Sequence, residues 1–156
     1  ADKSAEEFGA IPIDPYSHTP AHAGAQQPGM TGAVKEEILT RRRELGVAVA
    51  GGQVEFDAQL VRPEELLDDP TNWRVSGIAD RPMTLELPVR AVASTLCQVP
   101  IVVIVGDGDS HVDVTYADGR TDRRDGPRLG LDDSAAIFGR TGNVTQVRVT
   151  LGTEQP

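Results

Sequence analysis

The chain has 156 residues, 38% hydrophobic and 25% charged, which fits one globular domain with a real core and excludes a disordered tract. Its 24 acids against 15 Lys and Arg leave a formal net charge of −9; this argues against a nucleic acid partner, which is held by Lys/Arg contacts to phosphates. The longest apolar run, Val99 to Val105, falls far short of the roughly 20 residues of a bilayer span, so no membrane partner is expected, and with no Lys/Arg-led apolar leader a cytoplasmic location is.

Residues 1–31 read as an extended arm. Pro12, Pro15, Pro20 and Pro28 lie there, and each removes a backbone donor and pushes its predecessor out of the helical region. No period of 2 or 3.6 survives. The chain opens at Ala1 rather than methionine, and we read it as a piece trimmed from something larger. Residues 32–46 read as an α-helix. Thr31 or Gly32 can cap it, Glu36 and Glu37 sit in its first turns, and Arg41 to Arg43 lie near its end, as the macrodipole favours. Val34, Ile38 and Leu45 fall roughly on one face, with Leu39 beside them, and Gly46 is the expected C′ residue.

From residue 47 to 156 the texture is β. VAVAGGQVEF alternates into and out of a Gly51-Gly52 turn, the pattern of a hairpin. MTLELPV alternates. VPIVVIV is a continuous apolar run, as expected of a central strand covered on both faces. SHVDVTY alternates and leads to the turn Asp118-Gly119. A short helix is expected over SAAIF, capped by Asp132 or Asp133 and stopped by Gly139. NVTQVRVTL alternates with a break at Gln146, which suggests a bulge. The predicted fold is therefore mainly β: an antiparallel two-layer β-sandwich preceded by an extended arm and one α-helix.

Candidate chemistry is sparse. His18 and His22 have the four-residue spacing of zinc ligands on a helix, but Pro20 between them removes the helix that would make the spacing meaningful. Asp107, Asp109 and Asp113 crowd one stretch, yet depart from a calcium loop at several positions, and a hairpin loop is the simpler reading. The single cysteine, Cys97, excludes an internal disulfide and reads as a core residue. Trp73, the sole tryptophan, also reads as a core plug. No P-loop, dinucleotide fingerprint or nucleophile elbow is present. No catalytic residue, metal site or cofactor is assigned.

One resemblance carries further. The run DPYSHTPAHAGAQQPGMTG, the helix VKEEILTRRRELG and the following VAVAGGQVEFDAQLVRPEELL together resemble the last helix of an (α/α)6 toroid running into a C-terminal β-sandwich. Enzymes of the cellobiose phosphorylase type, and related glycoside hydrolases and phosphorylases, end this way, as do large bacterial proteins carrying such a toroid. The resemblance implies that the catalytic residues lie earlier in the toroid, outside this chain, and that the isolated chain is inactive. It implies a partner, another chain or an upstream segment bearing the toroid, against which the arm would be ordered, and a carbohydrate ligand. It also implies that Tyr16, His18, His22, Gln26, Gln27 and Thr31 help line a sugar site. In the phosphorylases a Thr-Gly-Ser-like segment before the last helix binds phosphate. Thr31-Gly32-Ala33 occupies that place here, and Ala33 lacks the hydroxyl, although a helix N-terminus still favours an anion. A stand-alone β-sandwich binding module is the alternative.

Overall fold

The computed structural model describes residues 30–152, with side chains from residue 36 onward. The first element is helix α1, Met30–Glu44. It begins ahead of the predicted start, so Thr31 and Gly32 lie inside its first turn rather than at its cap, and that turn holds no acid. Gly46 ends it as expected, with φ +80° and its N–H donating to the Arg43 carbonyl at 3.0 Å. Only glycine enters this left-handed region freely. Space is restricted there as well, since an added Cβ would lie 3.1 Å from the Asp57 carbonyl oxygen. The predicted apolar stripe does not hold together. Leu45 belongs to the turn after the helix and packs on the sandwich core, whereas Ile38 and Leu39 are exposed.

Next comes the expected hairpin, β1 (Val47–Ala50) with β2 (Gln53–Phe56), turning through Gly51 and Gly52 at φ +56° and +80°. Positive φ at both turn residues is the geometry that matches the twist of paired strands. A second hairpin joins β3 (Thr71–Ser76) to β4 (Pro82–Leu87) in antiparallel register. Five further strands form one sheet: β5 (Ala91–Leu96), β6 (Val99–Gly106), β7 (His111–Tyr116), β8 (Thr121–Asp125) and β9 (Val144–Gly152), in the order β5-β6-β9-β7-β8. Helix α2 (Leu131–Phe138) precedes β9. Every pairing is antiparallel except β6 with β9, which run parallel. The irregularity anticipated in β9 is present: Thr115 faces Gln146 and Tyr116 faces Val144, leaving Thr145 as the extra residue of a bulge. Its hydroxyl donates to the Thr115 carbonyl at 3.1 Å.

The sheet is covered on both faces, which makes the fold sandwich-like. On one face Ile101 and Val103 of β6, Val112 and Val114 of β7 and Val147 and Val149 of β9 pack with Val54, Phe56, Leu129 and Ile137, from β2, the segment before α2, and α2 itself. On the other face Ala91 and Val102 pack with Leu85 and Leu87 of β4, and Trp73 and Met83 lie partly buried against them. Trp73 is thus a packing residue, as expected. The alternation of β6 between the two clusters explains its uninterrupted apolar run. Cys97 is half-buried rather than enclosed; it is a free thiol in the β5–β6 turn, packed at the margin of the larger cluster. Asp132 and Asp133 stand in the first turn of α2, but the N-cap position is Gly130, without a side-chain cap. No helix among the described residues is long and apolar enough to cross a membrane.

Candidate functional site

Tyr16, His18, His22, Gln26 and Gln27, the residues predicted to line a sugar site, lie outside the described residues, and Thr31 is described only as backbone within α1. A concave surface among the described residues lies elsewhere. Because β6 and β9 are parallel, their carboxyl ends meet at one edge, beside the start of β7 and the end of β8. There a groove of about 1240 Å³ opens, floored by Phe56, Val105 and Leu151 and walled by Ser110, His111 and Arg123.

Its polar groups are tied down individually. The loop 107–110 is held against the end of β9, where the Gly152 N–H donates to Ser110 Oγ at 3.0 Å. His111 Nδ1 lies 3.1 Å from the Asp109 carbonyl. A carbonyl only accepts, so Nδ1 is the donor in this contact. Nε2 lies 3.8 Å from Asp113, and Arg123 grips that carboxylate with two hydrogen bonds of 2.8 and 3.0 Å. Among the described residues no hydrogen bond joins Ser110 to His111, so the groove holds no nucleophile–base pair of the kind acyl transfer needs. Asp107, Asp109 and Asp113 do not converge on a calcium site: Asp113 is engaged by Arg123, and among the described residues no group of three or more His, Cys, Asp or Glu side chains could hold a metal. What the groove offers is hydrogen-bonding groups beside the apolar side chains of Phe56, Val105 and Leu151.

The bond from Arg123 holds Asp113 below the ordinary carboxylate range, against the opposing effect of partial burial. A depressed folded pKa contributes stability that is present above the unfolded value of about 3.9 and is lost as pH falls through the folded one. Arg123→Ala is therefore expected to raise the Asp113 pKa and to flatten the acid limb of the stability curve. An NMR titration of the Asp113 side chain checks this, and identical titration in both proteins would show that the ion pair has no effect on it.

A second polar cluster lies where β7 ends against α2. Buried Tyr116 donates its hydroxyl to Asp133 at 2.8 Å, Arg124 donates to the same hydroxyl at 3.2 Å, and the Arg120 guanidinium stacks 4.5 Å over the Tyr116 ring. Burial and then the Asp133 carboxylate push the Tyr116 phenol up from its ordinary value. Arg124 also lies 3.6 Å from both Asp122 and Asp133. These groups neutralise one another around an open recess of about 580 Å³, and the arrangement works as a clasp holding α2 to the sheet. Tyr116→Phe leaves buried Asp133 without its closest donor and is expected to cost about 1–3 kcal/mol, measured by urea denaturation. An unchanged midpoint would mean that Arg124 satisfies Asp133 alone.

Sequence reasoning missed both clusters for one reason. TDRRD of β8 has no apolar alternation, so it does not read as a strand, and without β8 neither Arg123 nor Arg124 has a place. The usable signal was the run of mixed charge, Asp122 to Asp125, after the Val-Asp-Val-Thr-Tyr run of β7 and its Asp118-Gly119 turn, since cross-strand ion pairs need opposite charges on paired strands. No protein-family model matches this chain, and no curated protein matches it.

Proposed function

We propose that this chain is the C-terminal β-sandwich segment, or a small subunit, of a carbohydrate-active enzyme of the glycoside hydrolase or phosphorylase type. Another chain or an upstream segment supplies the helical toroid and the catalytic residues. The observation that supports this reading is the exposed apolar pair on α1, on a helix whose last turn is tied to the loop after β2. The helix passes into β1 without a linker: Gly46 accepts from the Asp57 N–H at 3.0 Å, and Arg43 bonds the Asp57 carboxylate at 3.0 Å. On the same helix Ile38 and Leu39 are 53% and 62% exposed, a pair of large aliphatic side chains that packing against further helices would bury. In this reading Tyr16, His18, His22, Gln26, Gln27 and Thr31 border the sugar site, where phenol, imidazole, amide and hydroxyl groups suit recognition of sugar hydroxyls.

Reconstitution tests the proposal. The 156-residue chain, alone and mixed with a toroid-bearing polypeptide, is assayed on aryl glucosides and cellobiose with and without phosphate. Turnover is expected only from the mixture, and Ile38→Asp combined with Leu39→Asp is expected to abolish it. Turnover by the chain alone, or by neither sample, overturns the proposal. The second reading, a stand-alone binding module, is favoured by the groove beside Ser110 and His111. It predicts glycan- or peptide-induced shifts of those two residues in the isolated chain, independent of any toroid.

A further inference from the structure

The two edges of the five-stranded sheet are built differently. The β8 edge carries Asp122, Arg123, Arg124 and Asp125 in succession. The β5 edge, AVASTL, carries no charge at all. An edge strand presents unpaired donors and acceptors to solvent, and charge, proline or a bulge is the usual means of blocking its pairing with another chain. β5 has none of these.

The register identifies the open groups. β5 and β6 are joined by the two-residue turn Cys97-Gln98, with Leu96 opposite Val99. A two-residue hairpin turn is flanked by a hydrogen-bonded pair, here Leu96 with Val99, so even-numbered residues of β5 turn their backbone groups toward β6. On the opposite side the Leu67 N–H donates to the Ala91 carbonyl at 3.0 Å, so odd-numbered residues turn theirs outward. Past Ala91 the outward groups belong to Ala93 and Thr95, and among the described residues no hydrogen bond reaches them.

We propose that β5 is a homodimerisation edge, pairing antiparallel with β5 of a second copy so that Ser94 faces Ser94 across a two-fold axis. Ala93 then lies opposite the second copy's Thr95, and each such pair exchanges both backbone hydrogen bonds. Two features favour a second copy over other occupants. Two open residues flanking one inward-facing residue are self-complementary under a two-fold rotation, as an isologous interface requires. Charge points the same way. A chain of net charge −9 repels its own copies over much of its surface, whereas this strand meets itself without a charged side chain. The result is one continuous sheet running from β8 of one copy to β8 of the other.

Sedimentation of the full chain from about 1 to about 100 µM tests the proposal, because a dimer held by so short an edge dissociates on dilution. Reversible dimerisation is expected, and a monomer throughout overturns it. Ser94→Lys and Ser94→Glu each place like charges opposite one another at the axis. Each variant is expected to be monomeric alone, and an equimolar mixture is expected to recover the dimer as a heterodimer. Recovery on mixing could not come from a folding defect. A dimer in either variant alone, or no recovery in the mixture, would remove β5 as the interface. Ala93→Pro deletes only an outward-facing donor and is expected to lose the dimer with an unchanged far-UV CD spectrum; a persisting dimer overturns the assignment.

Discussion

Gly152→Ala is expected to be the most damaging single-methyl addition in this protein. A Cβ built on Gly152 would lie 1.9 Å from the Gly108 carbonyl oxygen and 3.1 Å from its carbon. Both atoms are backbone, so no side-chain rotation relieves the clash. Either the 107–110 loop lifts off the end of β9 or β9 shifts in its register. Lifting the loop breaks the Gly152–Ser110 bond and opens the groove floor at Leu151. Overpacking a closed site costs about 1–3 kcal/mol and occasionally more, and a backbone-to-backbone collision belongs at the upper end, about 3 kcal/mol. Urea denaturation reads the loss, and amide exchange at Ser110 and His111 shows whether the loop is what gives way. Ser110→Ala supplies the comparison, since it removes the bond without the clash and should cost about 1 kcal/mol. A Gly152→Ala midpoint equal to that of Ser110→Ala would show that the close approach is not maintained in solution.

Ile101→Ala should be of similar or greater consequence for a different reason. Ile101 is fully buried in β6, the strand paired with β5 on one side and β9 on the other, and it faces the larger core cluster. Truncation loses the transfer free energy of three carbons and leaves a cavity walled by strands that cannot close over it. The expected loss is about 2–5 kcal/mol, against about 0.5–1.5 kcal/mol for Ile101→Val. For a domain of this size the larger figure can approach much of the total stability, so the alanine variant is best measured by its urea midpoint at low temperature. A loss below that of the valine variant would mean that the β1–β2 hairpin and α2 collapse onto the site, and that the sandwich is less rigid than its close packing implies.

Both expectations depend on the same feature, the central position of β6 and β9. The apolar run VPIVVIV by itself announces a strand buried on both faces, because only such a strand lacks a polar side to alternate with. Gly51-Gly52 and Gly46 were legible for a related reason: a turn or a helix end that requires positive φ leaves glycine as the residue of choice. The bulge in β9 showed in the break of alternation at Gln146. Each of these signals is local, written in a few adjacent residues whose conformational options are narrow.

The parallel pairing of β6 with β9 had no such mark. These strands lie some forty residues apart in the chain, and their side-chain patterns fit an antiparallel partner equally well. Nor did the sequence disclose that Leu45 packs into the sandwich while Ile38 stays exposed, because the helix ends at Glu44 and the turn redirects the next side chain. The groove at Ser110 and His111, the Arg123–Asp113 pair and the Tyr116–Asp133 clasp all follow from where distant strand ends are brought together. By itself, the sequence determined a mainly β fold, its principal buried strand and its turns, since these rest on the period of apolar residues and on backbone sterics. Tertiary structure alone decided which polar residues meet, because strand order and register are set by the summed packing of the whole sheet and not by any one stretch of it.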